Sequence, residues 1–158
     1  GNRWTLQVPL PPMDANLARE WLADLTLARR YGARWRIRQV GLAVGLPGSP
    51  TVAGADQSGM TLAVAGMNAS APWFKGQAIS LVSGARRYVH LLASAGFSGS
   101  DGTASLPLTE PLRVSPADSD VVEIARPFIE GRLSADSASL TIDAARLGRL
   151  GFVISERA

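Results

Sequence analysis

Hydrophobic and polar positions alternate strictly near the start of the chain. Trp4, Leu6, Val8 and Leu10 point one way and Thr5 and Gln7 the other, which predicts a half-buried strand stopped by Pro11-Pro12. The period then lengthens. From Ala15 to Tyr31, the residues Leu17, Ala18, Trp21, Leu22, Leu25 and Ala28 recur at helical spacing, with Asp14 as N-cap and Gly32 as C-terminal cap. Trp21 on that stripe reads as a packing anchor against a sheet.

Period two returns after the helix. Short strands are predicted over 35–43, 51–53, 60–65, 103–108, 121–125, 128–133, 138–142 and 150–155, with one helical turn at 144–147. Segments 45–50, 54–59 and 96–102 carry the turn residues that separate them. In the strand over 103–108, Ala104, Leu106 and Leu108 point inward, and Pro107 and Pro111 restrict it to an edge or a strand end.

The clearest signal is the run from Gly76 to Leu92. Gly84-Ala85 separates two alternating segments, and Gly in the first of two loop positions predicts a type II′ hairpin. Such a loop pairs Ser83 with Arg86, Leu81 with Tyr88 and Ile79 with His90. One face then carries Ile79, Leu81, Tyr88, His90 and Leu92; the other carries Ala78, Ser80, Val82, Arg87, Val89 and Leu91. Both faces are partly apolar, so the hairpin is expected to be covered twice, the second time by a helix or a neighbouring subunit. About ten short strands and one helix predict a mainly β (α+β) fold: a β-sandwich or partly closed barrel, flanked by the helix over Ala15–Tyr31.

The chain has 158 residues and 46% hydrophobic content, which suits a single domain over 1–158. Gly1 in place of Met points to an N-terminal segment upstream of the sequence in hand. With no cysteine, disulfides and thiolate metal sites are excluded, and no apolar run reaches the about 20 residues of a membrane span. The net charge is +3, and Lys75 is the only lysine, all other cations being arginine. Arg34, Arg36 and Arg38 alternate, which reads as a solvated strand face. Without a longer basic run or interleaved aromatics, sequence-specific nucleic-acid recognition is not indicated. The Asn68-Ala69-Ser70 triplet matches a glycosylation acceptor only weakly.

Catalytic constellations are equally thin. His90, the only histidine, falls mid-strand opposite Ile79 and reads as a packed residue rather than a base. Asp118, Ser119 and Asp120 read as a solvated turn. Glu110, Glu123, Glu130 and Asp143 form no pair that spacing alone reveals. The expectation is a protein that is not an enzyme and that needs no cofactor or metal.

Two stretches carry a family resemblance. The first is Trp4-Thr-Leu-Gln-Val-Pro-Leu-Pro-Pro-Met13 followed by the helix with Trp21. The second is Phe74-Lys-Gly-Gln-Ala-Ile-Ser-Leu81, the hairpin into Tyr88-Val-His-Leu91, and Gly102-Thr-Ala-Ser-Leu-Pro-Leu-Thr-Glu-Pro-Leu-Arg113. In that order they resemble distal tail proteins of long-tailed (siphovirus-type) bacteriophages and of gene-transfer-agent tails, over residues 1 to about 132. The resemblance implies a β-sandwich related to tail-tube subunits and a structural virion protein of the tail tip, assembled in the bacterial cytoplasm. Its subunits form a homo-oligomeric ring, of six copies in such tails. The ring joins the tail-tube protein to the baseplate hub protein, with DNA only as passing cargo and no membrane. Many members carry Asp where this chain has Gln77, and the chain is too short for the second, carbohydrate-binding-like domain of larger members. Trp73, Phe74, Lys75 and Arg113 are the candidate interface residues. Two other readings stand beside this one. A carbohydrate-binding β-sandwich module would be monomeric and bind receptor or cell-wall glycans with its Trp and Tyr residues. A hydrolase would use His90.

Overall fold

The computed structural model describes residues 3–134, 141–142 and 147–157. Among the described residues the fold is mainly β, 43% strand and 12% helical, with curled half-barrel sheets and a single helix. In chain order the elements are β1 (Thr5–Pro9), β2 (Met13–Asp14), α1 (Ala15–Tyr31), β3 (Ala33–Arg36), β4 (Gly48–Val52), β5 (Thr61–Met67), β6 (Pro72–Trp73) and β7 (Ala78–Ser83). There follow β8 (Arg86–Leu91), β9 (Gly96–Phe97), β10 (Ala104–Pro107), β11 (Val121–Glu123), β12 (Phe128–Leu133), β13 (Thr141–Ile142), β14 (Leu147–Arg149) and β15 (Gly151–Glu156). The chain divides into two compact units, residues 36–128 and residues 1–35 with 129–158.

The unit over 36–128 is built on a six-stranded sheet of order β10-β5-β4-β11-β7-β8. Its first and last strands meet beyond their ends. Leu92 bridges Leu108, Thr109 N–H donates to Leu91 O and Ala93 N–H to Pro107 O, both at 2.9 Å. The sheet therefore curls into a partly closed barrel, which removes part of two open edges. Val52, Leu62, Val64, Ile79, Leu81, Leu92, Leu106, Leu108, Val122 and Ile124 fill its interior. As expected, Leu106 and Leu108 point inward and Pro107 lies on an edge strand.

The hairpin β7–β8 has the expected register, from Ser83 opposite Arg86 to Ala78 opposite Leu91. Its turn differs. Gly84 (φ 56°) and Ala85 (φ 60°) are both left-handed, so the turn is type I′ rather than II′; that form matches strand twist but strains Ala85. The second hairpin face, expected to be covered by a helix or a neighbour, is covered in part without a helix: Ala78, Ser80 and Val89 are buried within the chain, while Val82, Arg87 and Leu91 are half-buried. Polar partners cap this side. Ser80 Oγ donates to Phe128 O (2.9 Å) and accepts from Phe128 N–H (2.6 Å). The Gln39 amide bonds Ala78 twice, accepting from its N–H (2.6 Å) and donating to its O (3.3 Å), as a neighbouring strand would.

The other unit pairs the two ends of the chain. Its four-stranded sheet runs β1-β15-β12-β3, and β13-β14-β2 form a three-stranded one. β1 pairs antiparallel with β15 from Thr5 opposite Ser155 to Pro9 opposite Gly151. α1 has the expected bounds and caps: Asp14 Oδ1 accepts from the N–H groups of Asn16 (2.9 Å) and Leu17 (3.0 Å), and Gly32 N–H donates to Ala28 O. Ala18 and Leu25 are buried along its stripe, while Leu17, expected on the stripe, is exposed at its border. Trp21 packs on Trp35 (6.1 Å between rings), and Trp35 meets Phe152 edge-on at 4.9 Å, so Trp21 is a packing anchor.

Other expectations shift at their ends. The strand over 35–43 is only Ala33–Arg36, and the strand after the 45–50 turn region begins already at Gly48. The strands β2, β6, β9 and β14 were not apparent in the pattern, being two or three residues long. Of the helical turn expected over 144–147, residues 144–146 lie outside the described residues and Leu147 opens β14 instead; the first part of the strand over 138–142 also lies outside them.

Candidate assembly interface

The pair Trp73-Phe74 lies where β6 runs beside β9, with Trp73 opposite Gly96 and Pro72 opposite Phe97. Period two makes the two rows of this ribbon face opposite ways. Trp73 turns inward, 7% exposed, into the core of its unit, and a Cβ on Gly96 would lie 2.8 Å from Trp73 Cε2. The indole thus rests on bare backbone, which only glycine allows. Phe97 turns outward and is 71% exposed. Phe74 is half-buried and Lys75 exposed. The turn between them and β7 is closed by Gln77, the position of departure noted above: its buried Oε1 accepts from Phe74 N–H at 2.9 Å.

Arg113 stands elsewhere in the same unit. Its Nη2 donates to Val89 O at 2.7 Å, and its guanidinium lies over the Tyr88 ring, 5.8 Å from the centroid. It is half-buried along the outer edge of β8, where a charged side chain discourages strand pairing. Of the four candidates, then, Trp73, Phe74 and Lys75 sit together by sequence, Lys75 is the exposed one, and Arg113 belongs to the hairpin edge.

The more exposed apolar groups were missed. Val40 is 96% exposed and Leu46 82%. They belong to the segment between β3 and β4, which is anchored at several points. Ile37 N–H donates to Pro127 O (2.8 Å), Gln39 holds Ala78, Asn68 Nδ2 donates to Leu46 O (2.9 Å) and Asn68 N–H to Pro47 O (3.0 Å). The Asn68 amide of the glycosylation-like triplet is thereby tied into this loop. The available signal was the charge-free run from Val40 to Pro47, broken by two glycines, a composition that fits an apolar loop better than a strand. A groove of about 360 Å³ lies beside β4 and β11 in the same unit; Pro50, Thr51, Ile124, Phe128 and the half-exposed Val121 are among its lining residues.

The groups weighed for chemistry are engaged in structure. His90 is 1% exposed, opposite Ile79 on the barrel-interior face of β8. Glu123 takes three bonds of 2.9–3.2 Å from Arg87, and Glu130 pairs with Arg34 at 3.3 Å. Asp143 lies outside the described residues. Asp118 accepts from Gly54 N–H (2.7 Å) and Asp120 from Ala117 N–H (2.9 Å), so this acidic cluster braces a turn. Among the described residues no three His, Cys, Asp or Glu side chains are grouped to hold a metal ion. No protein-family model and no curated protein matches this chain.

Proposed function

We propose that this chain is a structural virion subunit, a ring-forming adaptor at the distal end of a phage-type tail tube. The ring joins the tube to the baseplate hub and surrounds the channel through which DNA leaves. One observation carries the assembly part of this reading. In the unit over 36–128 the residues on both faces of the main hairpin are buried or half-buried within the chain, yet Val40, Leu46 and Phe97 stand at 96%, 82% and 71% exposure. Large apolar side chains on anchored backbone cost solvation unless another surface covers them, and closed assembly of identical copies does so without leaving a new edge. The sequence resemblance over residues 1 to about 132 supplies the place in the tail.

The hairpin, with no exposed apolar residue on its second face, no longer carries this argument. The surface that counts has moved to the loop before β4 and to the ribbon of β6 and β9. Mass photometry across nanomolar to micromolar concentration tests the reading. The wild-type chain is expected to form one closed oligomer. The double variant Val40→Asp/Leu46→Asp should remain monomeric with an unchanged far-ultraviolet spectrum. A wild-type chain that stays monomeric at every concentration, both alone and with tube or hub protein added, overturns the proposal.

A further inference from the structure

The four-stranded sheet β1-β15-β12-β3 has one packed face and one open face. Leu6, Ile154 and Leu133 stand in one row across β1, β15 and β12, and Val8 pairs with Phe152. These belong to the side on which Phe152 meets Trp35. The alternate row is Thr5, Ser155 and Arg132, with Gln7 opposite Val153 one step further. Thr5 Oγ1 and Ser155 Oγ lie 3.2 Å apart across it. Arg3, Thr5, Gln7, Arg34, Arg132 and Arg157 are all exposed.

At one end of this face is a depression of about 330 Å³ lined by Arg34, Arg157 and Glu130, together with the backbone around Gly32 and Gly131. Arg34 Nε lies 3.3 Å from Glu130 Oε2, and Arg157 Nη2 donates to Tyr31 O at 2.9 Å. Each guanidinium is thereby held in place, while most of its N–H fork is not used by that one bond. Among the described residues, the open face and its rim carry Arg3, Arg34, Arg36, Arg132 and Arg157 against the carboxylate Glu130.

We propose that this open sheet face binds the phosphate backbone of nucleic acid without regard to sequence. The chemistry argues for phosphate contacts alone. Guanidinium forks match phosphodiester oxygens, and the hydroxyls of Thr5 and Ser155 and the amide of Gln7 add neutral donors. Trp21, Trp35 and Phe152 are packed against one another on the other side, and Tyr31, exposed at the rim of the depression beneath Arg30, is a lone ring rather than the row of platforms that successive bases need. Such a surface holds nucleic acid by charge and releases it readily in salt. The inference does not depend on ring assembly, because it involves other residues in the other unit.

The test uses the full chain and a labelled 20-base-pair duplex of random sequence, followed by fluorescence anisotropy at several salt concentrations. Binding at low salt is expected, with log K falling against log salt at a slope of about −3 to −4, as three or four phosphate contacts require. Arg132→Gln should make that slope shallower by about one, while Lys75→Gln, which removes the same charge from the other unit, should leave it unchanged. Absence of binding at low salt overturns the proposal, as does equal sensitivity to both variants. Polyglutamate that competes as well as unlabelled duplex at equal charge would also overturn it, assigning the face to acidic protein surfaces instead. A Val40→Asp/Leu46→Asp monomer that still binds duplex would separate this inference from the fate of the ring.

Discussion

Ala85 occupies a position that its side chain disfavours. Its φ of 60° places Cβ against the following carbonyl, a cost of about 1 kcal/mol that glycine avoids. Ala85→Gly is therefore expected to stabilise the protein by about that amount, read as a higher urea midpoint with an unchanged m-value; an unchanged midpoint would mean that the turn is not type I′ in solution. Asp101 makes a different kind of local prediction. Its Oδ1 accepts from Thr103 N–H at 3.0 Å and from the Thr103 hydroxyl at 2.8 Å, and these bonds, the backbone one first, hold its carboxyl below the usual carboxylate range. A depressed folded-state pKa means that the stabilisation is present above the unfolded value of about 3.9 and is lost as pH falls through the folded one. The carboxyl carbon of Asp101 should titrate by NMR below that of an unstructured aspartate, and the Thr103 amide should lose its hydrogen-bonded shift over the same acidic range. A midpoint at the ordinary value would show that these bonds do not persist in solution.

At the level of elements, helix α1 was legible almost to the residue. Both of its ends are chemically marked, by the Asp14 carboxylate at one and by a glycine with φ 92° at the other. Asp14→Ala should cost about 1 kcal/mol, and Asp14→Asn should restore most of it, since the amide oxygen still accepts from Asn16 and Leu17. Chemical denaturation of the two variants checks this, and equal losses in both would sink the capping assignment. The hairpin register was just as readable, because two alternating segments about a two-residue loop admit one pairing. The strand predicted over 35–43 failed for a complementary reason. Exposure keeps alternating through Gln39, but regular strand ends at Arg36, and what pins the segment afterwards is the Gln39 side chain on Ala78, 39 residues away. No local pattern announces that a side-chain amide will stand in for a strand.

For the molecule as a whole, the contrast between Trp73 and Phe97 is the sharpest check on the interface. They sit on adjacent cross-strand pairs of one ribbon and face opposite ways. Trp73→Ala should destabilise the fold by about 3–5 kcal/mol through loss of core packing. Phe97→Ser should change stability by less than about 0.5 kcal/mol while weakening oligomer formation, measured by thermal melting and mass photometry on the same samples. If Phe97→Ser assembled as the wild type does, the ribbon would not belong to the interface, leaving the loop with Val40 and Leu46. Trp73 and Phe74 were natural candidates because two adjacent aromatics in a loop suggest a contact. Which of two neighbouring rings is outside depends on what a two-residue strand pairs with, and the partner glycine is 23 positions along the chain.

The amino-acid order alone determined the local repeats: period two through most of the chain, period 3.6 once, and capping and turn residues where each changes. From these follow a mainly β fold, one helix and a hairpin of fixed register, since each depends only on neighbours in the chain. Tertiary structure decided what lies far apart in sequence. Leu92 meets Leu108 to curl the large sheet, Gln39 completes β7, Gly96 gives Trp73 its bed, and Ser80 finds Phe128 and so covers part of a face that looked unfinished. Surplus apolar surface is what remains after all such contacts are made, a property of the folded sum, and so it emerged at Val40, Leu46 and Phe97 rather than on the hairpin where the pattern had placed it.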